Sequence, residues 1–417
     1  MRRWRRVLYF GKWYGERMNN STPYWIWIQQ AVGQGSSAIP RLLSAFSSPE
    51  EIYAADRLEL QRAGVTGKPL ECLCRKNIDA MYRIAERCEK MGWILTPEDV
   101  GYPASLRQLF SPPLVLYGKG FLPNTDTVSV PPIAMVGTRK CTEYGAKAAG
   151  GIAAGLAAAG SIVISGGAMG IDRAAHQGAL YAGGRTVAVQ ACGLDVEYPA
   201  PNRSLRHRIV EEGGAVITEY LPGTQAFANH FQVRNRLISG LAWGVCVVEA
   251  PERSGALITA RHAREQGRDV FVVPGNITSA ESVGSNELIK DGAALVTRAS
   301  EILREYQVRS GGALQEEEAD RAQAAYGEYV LRDRPVQEVR SAQRVADGSR
   351  VQISYPCPDS AGELAKTVYG LLKEEPLTAE ELCSISGIPA SKFFSAMTEL
   401  ELYGCARSYP GKRYSKT

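Results

Sequence analysis

Between residues 130 and 300 the chain repeats one pattern: a short run that is apolar throughout, a helix-like stretch, then another apolar run. The runs are IAMVG (133–137), SIVIS (161–165), TVAVQ (186–190), GAVIT (214–218), VCVVEA (245–250), DVFVVPG (269–275) and ALV (294–296). A strand with one wet face alternates apolar and polar residues, whereas a strand covered on both faces does not. Helical patterns lie between the runs, at Tyr144–Ala159, Ile171–Ala182, Ser204–Glu212 and Ala256–Gln266. The pattern predicts an α/β fold: a doubly wound, Rossmann-like parallel sheet with helices on both faces.

Open parallel sheets bind ligands at the carboxyl ends of their strands. Two such ends here are glycine-rich and open a helix. MVGTRKCTEYG places Gly137, Arg139 and Lys140 after the first strand, and ISGGAMGIDRAAH places Ser165, Gly166, Gly167 and Gly170 after the second. Glycines allow close backbone approach and helix starts offer free N–H groups, so both loops suit phosphate; a tight strand-to-helix turn is the simpler alternative. Neither is a standard nucleotide motif: no G-x-G-x-x-G follows the first strand, and the chain has no G-x-x-x-x-G-K-[ST]. Further strand ends supply Tyr198, Asn202, Arg203, Arg206 and Arg208, then Ser254 and Gly255.

The segment HFQVRNRLISG adds Phe231, Arg234, Asn235 and Arg236. Leu237, Ile238 and Leu241 repeat at the spacing of one helix face, which places the arginines where that helix should begin. Cations there oppose the macrodipole at about 0.3–1 kcal/mol each. A phosphate at that end would reverse the sign; pairing of one arginine with Glu219 or Glu249 inside the fold is the other explanation. Arginines, hydroxyls, backbone donors and an aromatic on one rim suit several phosphates and bases in a row, as in single-stranded nucleic acid. Catalytic signals are sparse. The four histidines, His176, His207, His230 and His262, form no metal motif. His176 reads as structural; His230 faces either a ligand or the fold. Glu249 is a general base or, more simply, a brace for a loop, and Asp172 complements a helix dipole.

The flanks read differently. Residues 1–20 are a basic extension, expected to be disordered or to precede a start at Met18. Residues 21–95 are small helices around the Gly-rich turn VGQGSS, similar to a helix-hairpin-helix or SAM-like module; phosphate binding and a plain interaction domain are both open for it. Residues 96–303 hold the sheet, and 304–358, rich in charge and poor in apolar residues, are expected to be a linker. Residues 359–417 show a capping box at Thr378 and Glu381, a turn at Gly387–Pro389, a second helix at about Ala390–Leu402 and a basic hairpin, the plan of a winged helix. Its wing carries Arg407, Lys412, Arg413 and Lys416, fit for DNA, for a protein, or for solvent. A net charge of +4 confines any basic surface to a local patch. Nine irregularly spaced cysteines without a C-x-x-C pair indicate free thiols in a reducing cytosol and no zinc site. No apolar run reaches the length of a membrane span, so no membrane association is expected.

The motifs VGTRKCTEYG, SGGAMGIDRAAHQGAL, CGLDVEYPAPN, FQVRNRLISGL, SGALITARHAREQGRDVFVVPG and GSNELIKDGA occur in this order. Together they closely resemble the DNA-processing protein A family, DprA (also called Smf), over residues 96–300, with a looser fit of the outer domains. The resemblance implies a bacterial cytosolic homodimer, without enzymatic activity or cofactor. It would bind single-stranded DNA without sequence preference, shield incoming DNA in natural transformation and help load the RecA recombinase. Carried over by residue, the first-loop arginine falls on Arg139, the Gly-rich loop on Ser165, Gly166 and Gly167, the base-contacting aromatic on Phe231, and the R-N-R on Arg234, Asn235 and Arg236. Gln232, Ala228 and Met169 depart from the family's common Pro, Lys and Arg; Lys140 is a candidate to compensate for the lysine. The expected DNA-binding set is Gly137, Arg139, Lys140, Ser165, Gly166, Gly167, Asn202, Phe231, Arg234, Asn235, Arg236, Ser254 and Gly255. The rival is a Rossmann-type nucleotide phosphoribohydrolase acting on nucleoside monophosphates, but its P-G-G-x-G-T-x-x-E loop is missing.

Overall fold

The structure is a computed structural model, and it describes residues 20–126, 129–308, 314–332, 362–373, 376–402, 405–409 and 413–416. The expected extension at 1–20 lies outside these but for Asn20. The chain divides into two compact units, 1–333 and 334–417.

Unit 1 opens with α1 (Thr22–Val32), α2 (Ala38–Ala45), α3 (Pro49–Ala54), α4 (Arg57–Arg62), α5 (Gly67–Leu73) and α6 (Ile78–Glu89). Side-chain caps start several of them: Ser48 caps α3, Asn77 caps α6, and Asp56 and Glu59 form a capping box on α4. Their core, with Ile26, Trp27, Leu42, Leu60 and Leu73, continues into Leu114, Val115 and Tyr117 at the edge of the sheet. The VGQGSS turn does not face solvent freely. A Cβ at Gly35 would sit 3.0 Å from Val233 Cγ1, and Gln34 Nε2 donates to Glu219 O at 3.4 Å.

The sheet has nine strands: β1 (Trp93–Leu95), β2 (Leu116–Gly120), β3 (Ile133–Val136), β4 (Val163–Ser165), β5 (Thr186–Val189), β6 (Ala215–Thr218), β7 (Gly244–Val247), β8 (Asp269–Val272) and β9 (Ala294–Leu295). Their order is β1-β2-β6-β5-β4-β3-β7-β8-β9. The seven from β3 to β9 are parallel, and β2 joins β6 antiparallel. The chain first builds outward from β3 to β6, then returns to place β7 beside β3. That reversal is the switch point at which open α/β sheets form their ligand crevice.

Connecting helices cover both faces: α7 (Ala104–Arg107), α8 (Glu143–Ala158), α9 (Ile171–Tyr181), α10 (Arg203–Glu211), α11 (Ala228–Gly240), α12 (Gly255–Glu265), α13 (Val283–Lys290) and α14 (Ala299–Arg304). Side chains of β3 alternate between the two cores. Ala134 and Val136 pack with Leu237 and Ala260 of α11 and α12, while Ile133 and Met135 pack with Ile152 and Ala175 of α8 and α9. The apolar runs thus become strands because both faces are covered.

Within the 304–358 stretch expected as a linker, α15 (Glu316–Arg332) is a helix that packs on α8, and residues 309–313 and 333–358 lie outside the described residues. Gln323 ties α15 down by accepting from Ala299 N and donating to Thr297 O. Its acidic first turn, Glu316–Glu318, reads as solvated charge in sequence but complements a helix N-terminus. No described helix is long and apolar enough to cross a membrane.

In unit 2, helices Glu363–Leu371, Ala379–Ser386 and Ala390–Leu402 pack around Val368, Leu382, Phe393 and Leu400. They are joined by a three-stranded sheet of β10 (Leu377–Thr378), β11 (Ala406–Tyr409) and β12 (Arg413–Lys416). Thr378 and Glu381 form the expected capping box, and Gly387, at φ 65°, ends that helix in the left-handed conformation. This is a winged helix, with Arg407 and Arg413 exposed on the wing.

Candidate nucleic-acid interface

Helix α11 starts at Ala228, so Arg234 and Arg236 lie mid-helix rather than at its positive end. The apolar triplet marked only the last, most buried turns of the helix. Both arginines are buried, at 3% and 8% exposure. Arg234 Nη1 donates to Gly166 O at 2.7 Å and also to Val189 O, joining the ends of β4 and β5. Burial lowers its pKa to about 10, opposed by Asp172. Asp172 is raised by the same burial, opposed by Arg234 and by the Ala168 N–H. Arg236 Nη2 donates to Glu219 Oε2 at 2.6 Å. Burial raises Glu219 against the pull of Arg236. Of the two carboxylates open to an arginine, Glu219 is the one used.

The remaining expected residues sort by exposure. Arg139 and Lys140 are exposed, Gly137, Phe231 and Ser254 half-buried, and Gly255 exposed. Ser165, Gly166, Gly167, Asn202 and Asn235 are buried. The Arg139 guanidinium carbon lies 4.3 Å from the Phe231 ring centroid, and the Tyr198 ring centroid lies 5.5 Å from it. A cavity of about 440 Å³ gathers Arg139, Phe231, Arg234, Asn235, Ser254 and Gly255. Gly137, Lys140, Ser165, Gly166, Gly167, Asn202 and Arg236 do not line it.

Several of these set the backbone. Ser165 Oγ donates to Met135 O at 2.7 Å, tying β4 to β3. Asn202 Nδ2 donates to Gly167 O and Ala168 O at 3.0 and 2.9 Å, clasping the second loop. A Cβ at Gly166 would meet Asp172 Oδ2 at 2.6 Å and Arg234 Nη2 at 2.8 Å, so only glycine admits that buried pair. A Cβ at Gly170, whose φ is 75°, would strike Thr138 O at 2.3 Å; the two glycine loops touch there. Asn235 Nδ2 donates to Gly255 O at 3.2 Å, fixing the start of α12 against α11. Ser254 Oγ caps α12 through Ala256 N, and beyond Gly255 the space is open.

Arg253, Thr259 and Asp172 also line the cavity. Arg253 was open to sequence reasoning as a cation just before a helix start; Thr259 and Asp172 carry no signal beyond helical position. His176 is fully buried with Nδ1 2.7 Å from Thr186 Oγ1, a structural role. His230 stacks on Tyr220 at 4.3 Å. Glu249 accepts from Thr142 N and Thr142 Oγ1, so its carboxylate braces the first loop.

The family model for DNA recombination-mediator protein A matches residues 93–307, and that for the DprA winged helix domain matches residues 354–412. The chain belongs to the DNA recombination-mediator protein A family. Membership places it in DNA processing and recombination. It is 31% identical over 406 residues to Protein Smf of Synechocystis, covering 95% of this chain and 99% of the relative. It is 44% identical over 206 residues to the DNA processing protein DprA of Streptococcus pneumoniae, covering 49% and 71%. The X-ray structure of the pneumococcal DprA superposes with a TM-score of 0.58 at 35% identity, over 68% of this chain and 98% of that one. The sheet at whose rim the cavity opens therefore has the family's fold.

Proposed function

We propose that this rim binds single-stranded DNA regardless of sequence. Acting in the bacterial cytosol as a homodimer, the chain protects incoming DNA during natural transformation and passes it to a RecA-type recombinase. The observation that carries the reading is the half-buried Phe231 ring with the exposed Arg139 guanidinium beside it, both lining the cavity at the strand ends. Every base has a face to stack on an aromatic ring and every nucleotide a phosphate for a cation, so such a pair holds a strand without reading its edges. Phe231 takes a base. Arg139, Lys140 and Arg253 take phosphates, with Ser254, Gly255 and the free N–H groups of α12 supplementing them. Gly137, Ser165, Gly166, Gly167, Asn202, Arg234, Asn235 and Arg236 hold these groups in place from below.

Glu249 supports binding over nucleotide hydrolysis, because it is 1% exposed and engaged by Thr142. The test is titration of the full chain with fluorescent oligo-dT across a salt series. Affinity should fall linearly on a log–log plot. Phe231→Ala should cost about 1–3 kcal/mol at any sequence. A chain that ignores oligo-dT yet hydrolyses nucleoside monophosphates would sink the proposal.

A further inference from the structure

A second groove, of about 530 Å³, lies on the helical region of unit 1, between α2, the end of α4 and the loop after α7. Pro40, Ala63, Arg41, Arg62 and Phe110 are among the residues that line it. Phe110 is 77% exposed, between the buried Leu109 and a Ser111 whose hydroxyl donates to Ser36 O at 3.1 Å. The ring is thus held in water by an anchored backbone, in a groove that also carries two arginines, and an aromatic face beside positive charge is the pairing that single strands bind. Arg41 Nη1 donates to Gly64 O at 2.6 Å, which fixes its guanidinium at the groove. Neither Arg41 nor Arg62 makes an ion pair among the described residues, and no carboxylate is among the groove's described lining.

We infer that this groove is a second contact for the same single strand, with Phe110 stacking a base and Arg41 and Arg62 holding its phosphates. Its chemistry repeats that of the rim: one accessible phenylalanine, two arginines and small or hydroxyl residues. Both places lie in the same compact unit and are linked through one turn: Ser37 lines the groove, and Gly35, two residues before it, packs against Val233 of α11. The VGQGSS turn would then guide the strand between two aromatic stations rather than form the phosphate site itself.

The inference rests on the rim reading, and oligonucleotide length separates the two. Full-length wild type, Phe110→Ala and Arg62→Ala are titrated with oligo-dT of about six and about twenty nucleotides, lengths that bracket a single site and an extended one. Both substitutions are at exposed side chains, so folding is checked simply by an unchanged Tm. Either should weaken the long oligonucleotide at least about fivefold, in line with the loss of one stacked base or one phosphate, and leave the short one unaffected. Arg62→Ala should also lower the salt slope for the long one by about 0.7. Variants indistinguishable from wild type on both lengths would overturn the groove and leave the rim standing; equal weakening on both would overturn it as well. A fluorescent acidic decapeptide bound by wild type but not by the variants, with DNA affinity unchanged, would assign the groove to a protein partner instead. Wild type binding neither oligonucleotide would overturn both readings.

Discussion

Arg139 and Arg234 both lie near the Phe231 ring, at 4.3 and 5.7 Å, yet they can do different work. Arg139 is exposed, and Arg234 spends its donors on Gly166 O and Val189 O beneath the surface. Counterion release counts phosphate contacts, so the salt slope tells the two apart. Arg139→Ala should lower the slope by about 0.7 with stability unchanged. Arg234→Ala should weaken binding with the slope unchanged, and should cost on the order of 1–3 kcal/mol in denaturant because Gly166 O and Val189 O lose their buried donor. Loss of slope in Arg234→Ala would restore it as a phosphate contact. The sequence showed the aromatic and the cations but not their burial, since the partners of Arg234 belong to other strands. His176 supplies a pH signature at the same scale. Thr186 Oγ1 donates to Val163 O, so His176 Nδ1 is the donor to Thr186, and Nε2 is buried without a partner among the described residues. Burial lowers its pKa to about 3, below the ordinary 6.5. A group whose charged form is disfavoured in the fold stabilises fully above its unfolded pKa. That stability is lost as pH falls from about 6.5 towards 3, at up to about 1.4 kcal/mol per pH unit. Asp172 and Glu219, raised by burial, run the opposite way, so the measurement is the difference between wild type and His176→Gln. The wild-type advantage should shrink from pH 7 to pH 4.5; a constant difference would reject the account.

Among the elements, α8 is held between α9 and α15 by backbone contact where glycines fall. A Cβ at Gly178 of α9 would lie 2.0 Å from Gly150 O of α8, one at Gly150 would lie 2.3 Å from the Tyr326 ring, and one at Gly155 would lie 2.6 Å from Ala319 O of α15. Gly178→Ala must push α9 away from α8 and should lower stability by about 1–3 kcal/mol. Gly327 on the same α15 has open space where a Cβ would go, so Gly327→Ala should raise stability by up to about 1 kcal/mol through helix propensity alone. Opposite shifts of the two melting temperatures check the packing; shifts of the same sign would contradict it. The strands were legible because burial on both faces leaves an unbroken apolar run. Helix α15 was not, because among its described residues only the apolar Ala319 and Tyr326 are buried, with its receiving groove made by glycines of α8 far earlier in the chain.

At the scale of the molecule, changes in texture along the chain mark out helices, sheet and winged helix, but they do not show which segments share a core. Leu114, Val115 and Tyr117, inside the stretch that reads as the sheet domain, pack with Ile26, Trp27 and Leu60 of the preceding helices. Gln29 fixes the same junction: its Nε2 donates to Glu219 O at 2.7 Å, and its Oε1 accepts from Val115 N at 2.9 Å. At the other end Arg304 pairs with Glu316 at 2.8 Å, and Gln323 holds Ala299. A fragment cut to residues 96–303 would therefore expose the apolar edge at Tyr117 and strip α15 from Gly150 and Gly155, whereas residues 20–333 keep both junctions. The longer fragment should melt cooperatively and bind a short oligo-dT as tightly as the full chain. The shorter should melt at lower temperature or aggregate, since apolar surface lost from a shared core costs roughly 25 cal/mol per Å². Equal melting temperatures would show that the sheet is self-sufficient and that the helices at both ends are attachments to it, and a loss of short-oligonucleotide binding in residues 20–333 would move some of the rim's affinity to the winged helix.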